Sequence, residues 1–493
     1  MSAVRFSVVI PTRERAGTLR YALRTCLDQQ FDDYEVVVSD NFSSPATKAV
    51  VDEARSPKVR YVRTPEPLAL TDSWEFGLSH ARGEYVLLIG DDDGVLPHGL
   101  NELDALLRET RAKALRWDAV FYTWPTVALE GQGDYLRVPM GQKLVERRAR
   151  EVIPAVVAGT ECYTELPMVY NAAVHRDVLD ELRARTGRVF PHQYPDVYSG
   201  MAVAHVVGSY FSTTVPMTVS GQSGASTGVA TLFNRGGNPI EREFNALNAK
   251  TGFHPEPTVP DLPVFPEVPV ADCFVFGKRT LFPDIGVELD RRRLARACVT
   301  RARVREADWP ATLAAVRASL GDAPGLQAWF DAELAGTPYR TPPPLELRPA
   351  RLGFDGRHLH LDAATFDVTD VAGAVRLSDQ LLNYRDRRVE YVPTDDFGLA
   401  ARKVTELQRV CNEREQAVLR LHLASAELQR ACDERLELIT RLARELESRE
   451  RVAIAEREQL ARRLVASERW SVRRPLVAVR NALRTVKLLR RAG

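Results

Sequence analysis

Short runs of β-branched residues alternate with amphipathic stretches through the first 125 residues, and this alternation leaves few folds open. Phe6–Ile10, Glu35–Val38, Val59–Val62, Tyr85–Ile89 and Ala119–Tyr122 read as strands. Several are apolar at nearly every position, the pattern of a strand covered on both faces. Between them Thr18–Gln30, Pro45–Ala54, Thr71–His80 and Leu100–Ala112 read as helices. Strand–helix alternation predicts an α/β fold with a doubly wound, mostly parallel sheet. Its ligands should lie in the crevice beyond the carboxyl ends of the strands.

Three polar clusters fall at those ends. Pro11-Thr12-Arg13-Glu14-Arg15 follows the first strand, Asp40-Asn41 ends the second, and Gly90-Asp91-Asp92-Asp93-Gly94 ends the fourth, with Pro97 closing the turn. Three adjacent aspartates after a buried strand repel one another, and a hard divalent cation with oxygen ligands relieves that repulsion. Such a cation can neutralise a diphosphate and stabilise it as a leaving group. A solvated acidic turn is the other reading of the triplet taken alone.

In context, the sequence resembles family 2 glycosyltransferases of the GT-A fold over roughly residues 5–230. Phe6 to Arg15 is similar to that family's opening strand and nucleotide-contacting loop. Glu35 to Asn41 is similar to its second strand, and Ser73 to Asp93 to the helix and strand leading into its DxD motif. The resemblance implies a nucleotide-sugar donor (a UDP-, GDP- or dTDP-sugar) contacted by Pro11, Thr12, Arg13, Arg15, Asp40, Asp91 and Asp92. It implies Mn²⁺ or Mg²⁺ held by Asp91 and Asp93, and a glycan or other acceptor. Many relatives read D-x-D-D here; the first of those positions is Gly90, so the division of labour within the triplet stays open. An inverting enzyme also needs a general base for the acceptor hydroxyl. Asp196, in Tyr194-Pro195-Asp196-Val197, fits the family's position, with Asp177 and Asp180 as weaker rivals. Pro216 to Ser226 resembles the loop over the donor, without the histidine often found there. Synthesis of bacterial cell-surface polysaccharide is the setting the resemblance implies. The alternative is a non-catalytic scaffold with a degenerate transferase domain: Gly90 and the missing histidine favour it, and intact Asp40, Asp92, Asp93 and Asp196 oppose it. A nicotinamide-binding domain is disfavoured because Pro11 to Gly17 lacks GxGxxG.

The chain of 493 residues is long enough for two to four units, and at 45% hydrophobic it can bury sizeable cores. The expected units are a transferase domain over 1–250, a Pro-rich strap and helical extension over 251–345, a small β-rich piece over 346–393, a coiled coil over 394–468 and a basic tail over 469–493. Residues near Val145–Ala158 and Pro195–Val206 read as helices, and 286–335 as helical and arginine-rich. Pro257, Pro260, Pro263, Pro266 and Pro269 recur every third residue, the period of polyproline II, which suits a stiff surface strap or a docking motif. Between Gly398 and Ser467 there is no proline, and Glu406–Arg414 is echoed 21 residues later by Glu427–Arg435. With Cys411 at heptad position a, Val404, Val418, Cys432, Ile439 and Leu446 share it, while Leu407, Leu421, Leu428 and Leu442 take d. Arg414 and Arg435 also fall at d and weaken the seam.

A net charge of +1 gives no global reason to expect a nucleic-acid partner. Six cysteines without a CxxC pair suit a reducing compartment. Neither a signal peptide nor a bilayer-spanning run is legible, so a cytoplasmic location is expected. The last 25 residues carry eight Lys or Arg and no Asp or Glu, interleaved with Trp470, Leu476, Leu483 and Leu489. That pattern fits an amphipathic helix lying on an anionic leaflet, a peripheral contact with the inner face of the membrane. The heptads predict that residues 398–467 make the protein a dimer or trimer. Light scattering should find a lower order for a chain ending at Pro393, and monomers for both would refute the coiled coil.

Overall fold

A computed structural model describes residues 4–228, 239–321, 325–343, 345–382 and 390–392, with 441, 445, 448–460 and 462–463. The chain divides into two compact units, Met1–Asp396 and Phe397–Gly493. In the second unit the described residues are helical and exposed. Most of the expected coiled coil, and all of the basic tail, lie outside the described residues. Among the described residues no helix is long and apolar enough to cross a membrane.

The first unit is built on two sheets. The larger takes in β1 (Phe6–Thr12), β2 (Tyr34–Asp40), β3 (Val59–Arg63), β4 (Tyr85–Leu88), β6 (Ala114–Trp117), β9 (Lys143–Arg148), β10 (Ala172–His175), β11 (Ser209–Thr213) and β15 (Glu390–Val392). The smaller has β5 (Gly94–Val95), β7 (Val120–Thr123), β8 (Tyr135–Pro139), β12 (Thr218–Gln222), β13 (Gly353–Phe354) and β14 (His358–Asp362). Strand order in the larger sheet is β15-β9-β11-β6-β10-β4-β1-β2-β3. The half containing β4, β1, β2 and β3 is parallel and wound with helices α1 (Ala16–Leu27), α2 (Pro45–Ala54) and α3 (Leu70–Ser79), as the alternation predicts. The other half is mixed: β10 runs antiparallel to both neighbours, and β9 antiparallel to β11. Every residue of β2 is buried, whereas β3 at the edge is half-covered, so the apolar run marks the covered strand.

Two expectations fail where charged side chains hide a strand. Ala119–Tyr122 was expected as the fifth strand of one parallel sheet. Instead β6 takes the place in the larger sheet, and β7 belongs to the smaller one. β6 carries Arg116 at its middle, buried because it donates to Asp118 (2.6 Å), Ser212 (2.7 Å) and Glu165 (3.2 Å). Val145–Ala158 splits into β9, with Arg147 and Arg148, and a helix over Ala149–Val157.

The proline repeat does not form a polyproline strap. Residues 255–266 run through turns, and Pro269 lies inside the helix Glu267–Thr280. The residues between the prolines decide this. Val259, Val264 and Val268 are buried with Leu294, Cys298, Trp309, Val316 and Phe330, so the chain folds onto the helices Arg291–Arg301, Trp309–Ser319 and Leu326–Glu333.

The segment after the Pro-Pro-Pro run is not a free-standing β-rich piece. β14 adds to β8 with Leu359 opposite Val138 and Leu361 opposite Leu136, and β15 adds to β9. The helix Val371–Leu382 buries Val371, Ala374, Val375 and Leu382 against Leu96, Val120, Tyr122, Trp124 and Val219. The C-terminal segment thus completes the core of the smaller sheet. Leu382→Ala should cost about 2–5 kcal/mol in the single unfolding transition reported by tryptophan fluorescence. An unchanged denaturation midpoint would mean that 346–382 folds independently of the rest.

Candidate active site

The acidic turn sits at the end of β4, in the interior. Asp91, Asp92 and Asp93 are only 1%, 5% and 3% exposed. Donors from three segments satisfy them, with the end of β12 serving both Asp92 and Asp93. Thr12 Oγ1 donates to Asp91 Oδ2 (2.6 Å) and Arg15 Nη1 to Asp91 Oδ1 (3.1 Å), both from the loop after β1. Ser223, just past β12, donates to Asp92 Oδ2 from its hydroxyl (2.7 Å) and its backbone N–H (3.2 Å). Asp93 Oδ1 accepts from Gly221 N–H (2.7 Å). Its Oδ2 accepts from Gly90 N–H (2.6 Å) and from the Tyr170 hydroxyl (2.5 Å). The antiparallel pairing of β12 with β5, Thr218 opposite Val95, brings Gly221 and Ser223 over the turn.

Two glycines make this approach possible. A Cβ on Gly90 would lie 3.0 Å from both Asp92 Oδ1 and Asp93 Oδ2. One on Gly221 would lie 1.9 Å from the Asp92 carbonyl oxygen. A side chain at position 90 would therefore require the carboxylates of Asp92 and Asp93 to give way by a few tenths of an ångström.

The turn faces a cavity of about 1310 Å³. Pro11, Thr12, Arg13, Arg15 and all three aspartates line it. Arg13 holds Asn41 O (2.7 Å) and pairs with Glu243 on the helix Pro239–Asn248. Asp40 does not line the cavity. It is fully buried below the loop, accepting from Ser43 N–H (2.8 Å) and the Tyr61 hydroxyl (2.5 Å), and its neighbour Asn41 reaches the wall instead. Asp196 does line the cavity, in the first turn of α7 (Pro195–Val207, numbered after α4, Gly99–Thr110, α5, Ala149–Val157, and α6, Arg176–Thr186). Asp177 and Asp180, on α6, are exposed, pair with Lys113 and Arg183, and stand outside the lining.

Tyr170, Ser223, Gly221 and Trp74 were missed. Tyr170 stacks on Trp74 (centroids 6.0 Å apart, planes at 9°), which fixes the ring that meets Asp93. Gly221 and Ser223 fall within the 216–226 segment that the resemblance marks, but no spacing ties them, Trp74 on α3 or Tyr170 to the acids, because they come from separate elements and meet only when both sheets are complete.

Burial sets the electrostatics. It pushes Asp93 up to about 7, helped by the charge of Asp92 and opposed by the hydrogen bonds from Tyr170, Gly221 and Gly90. It raises Asp91 too, against the pull of Arg15. Asp196 is likewise raised by burial, opposed by backbone N–H groups at the helix start and by His192. Three carboxylates facing one guanidinium leave an excess of negative charge out of water, and this donor set fits a hard divalent cation. It is not a cage: the triplet does not form a group whose three carboxylates bring ligand atoms within 4.8 Å of one another. One or two carboxylates sharing an ion with substrate phosphates is the arrangement that suits it.

Residues 7–137 match the model of glycosyl transferase family 2, and this stretch is a glycosyltransferase family 2 domain. Over 102 residues the chain is 32% identical to the GalNAc(5)-diNAcBac-PP-undecaprenol beta-1,3-glucosyltransferase of Campylobacter jejuni, a match spanning 20% of this chain and 33% of that protein. Over 97 residues it is 32% identical to an uncharacterized protein of Mycobacterium tuberculosis, covering 20% of this chain and 30% of the relative. The chain thus spans about a third of the length of these curated relatives. Among solved structures, S. aureus TarS in complex with UDP-GlcNAc is similar at 16% identity and a TM-score of 0.36, covering 67% of this chain and 76% of that one. The mannosyltransferase PcManGT from Pyrobaculum calidifontis, in complex with GDP-Man and Mn²⁺, is similar at 15% identity and a TM-score of 0.36, covering 78% and 89%.

An acid whose native pKa lies above its unfolded value keeps its proton in the native state. The stability Asp93 contributes is therefore present at low pH and lost as pH rises from 3.8 to about 7. A cation bound at Asp93 competes with that proton. Saturating Mn²⁺ should raise the melting temperature of EDTA-stripped protein more at pH 8 than at pH 6, and an equal gain at both would count against a cation at Asp93.

Proposed function

We propose that the chain transfers a sugar, with inversion, from a nucleotide-sugar donor to a glycan or other acceptor in bacterial cell-surface polysaccharide synthesis. The observation that carries this reading is the buried acidic turn, with its excess negative charge, opening onto a cavity whose wall also holds Asp196. The glycosyl transferase family 2 domain at residues 7–137 and the glucosyltransferase relative support it.

In this reading Asp93, with Asp91 or Asp92 as the second acid, would hold Mn²⁺ or Mg²⁺. The ion, when bound, neutralises the donor diphosphate and stabilises it as the leaving group. Arg15, fixed against Asp91 and donating to Thr227 Oγ1 (2.6 Å), and Arg13 add positive charge at the phosphate side. Thr12 keeps Asp91 oriented, so the loop after β1 is set before the donor arrives. Asp40 acts below this surface: through Ser43 N–H and Tyr61 it anchors the loop that presents Asn41 to the cavity.

Asp196 takes the proton from the acceptor hydroxyl as that oxygen attacks the anomeric carbon. A carboxylate raised by burial is a stronger base than an exposed one, which suits this role. Tyr170 feels Asp93, Asp92 and Asp196 together, and burial with these charges holds its hydroxyl protonated as a donor to Asp93. Asp196→Asn should leave donor affinity unchanged, measured by calorimetry with Mn²⁺, and reduce transfer by on the order of 10²–10⁴. Loss of donor binding instead would remove Asp196 from the role of base.

A further inference from the structure

The hairpin at the end of the smaller sheet carries a cluster that the proposed transfer does not use. Between β13 and β14 the carboxylate of Asp355 accepts backbone N–H groups of Arg357 and His358 at Oδ1, 2.7 Å each. Gly356, at φ 97°, supplies the left-handed backbone this turn requires. With Oδ1 so fixed, Oδ2 lies 2.8 Å from His360 Nε2 and 3.4 Å from His358 Nδ1. The two histidines are two residues apart on β14 and so share a face. Among the described residues this is the one group of three His, Cys, Asp or Glu side chains whose ligand atoms all lie within 4.8 Å of one another.

The spacing suits an ion better than two hydrogen bonds. His358 Nδ1, at 3.4 Å, is beyond a good N–H···O contact. Tetrahedral ligands at the usual zinc distances are separated by roughly 3.3–3.4 Å, so this edge already fits and the shorter one need open by only about 0.5 Å. The remaining nitrogen of His360, Nδ1, is 2.7 Å from the Tyr135 hydroxyl on β8, and the two rings stack at 15°. That hydroxyl can donate or accept, so when Nε2 gives up its proton to take an ion, Nδ1–H still has an acceptor.

We propose that Asp355, His358 and His360 bind a borderline divalent transition ion of the zinc class, at a site separate from the acidic turn. Two imidazoles and one carboxylate select such ions over Mg²⁺ or Ca²⁺, which take oxygen ligands. Three protein ligands leave a fourth position for water or another donor. The ion ties the β13–β14 turn to β14, and because Arg357 and His358 line the large cavity, it fixes part of the cavity's rim.

Co²⁺, titrated into the full-length, EDTA-stripped protein, reads the site through its visible d–d absorption. One equivalent should give the intense band of a four-coordinate ion. The band should persist in Asp93→Asn and disappear in the double variant His358→Ala, His360→Ala. Zn²⁺ should raise the melting temperature of the parent protein and displace the Co²⁺ band, while for His358→Gln its affinity should fall at least tenfold. No band in the parent protein, or an unchanged band in the double variant, would overturn the proposal.

Discussion

Three carboxylates sunk at the end of one strand are the constraint to which the rest of the first unit answers. A buried charge without a partner costs several kcal/mol even after relaxation. Among the described residues a single guanidinium, from Arg15, contacts the triplet, at Asp91, and hydrogen bonds meet much of the remaining cost. Those donors come from positions 12, 90, 170, 221 and 223, scattered over more than two hundred residues of sequence. The turn is therefore tolerable only when both sheets have formed around it. The same imbalance gives the site its chemistry: charge that the protein leaves uncompensated is available to a cation and, through it, to a diphosphate.

The smaller sheet has a definite task in this arrangement. Its strands β5 and β12 place the backbone of Gly221 and Ser223 against the acidic turn, and that edge is held from behind by the helix Val371–Leu382. Residues beyond 345 thus brace strands that meet Asp92 and Asp93, although they contribute nothing to the turn itself. Arg357 and His358, from the added hairpin, extend the bracing into the cavity wall. Core and site are joined through a segment that looks separable by composition alone.

The parallel half of the fold was legible because continuous burial leaves an unbroken apolar run, as in Val36–Val38, and because turns at strand ends concentrate Thr12, Arg15 and the aspartates. The mixed half was not. Arg116 sits mid-strand, and the partners that make it a core residue, Ser212 and Glu165, are 96 and 49 residues away. A period of three among prolines was read as an extended helix, but Val259, Val264 and Val268 between them had an apolar surface to cover, and burial outweighed the local preference. At the site, residue type and order placed the charged groups on the cavity correctly except for Asp40. The neutral partner Tyr170, in a loop with no periodicity, left no trace in the pattern, and Ser223 was marked only as part of the 216–226 loop.

Gly90 is the position where pattern and geometry conflict most openly. Taken as a missing acid, it counts toward a domain that has lost its chemistry. In the folded turn its lack of a side chain is used twice: the N–H donates to Asp93, and the vacant Cβ position admits the carboxylates of Asp92 and Asp93 at 3.0 Å. A fourth acid there would add charge to a turn that already exceeds its one guanidinium partner, and would push apart the two groups that remain. Glycine at 90 and the folded-back aspartates are thus one arrangement, in which the acids keep their burial and their donors. The missing histidine of the 216–226 loop fits the same account, because Gly221 and Ser223 of that loop bind the acids directly. Both departures from the family's pattern thus coincide with direct backbone and side-chain donors to the acids, from Gly90, Gly221 and Ser223.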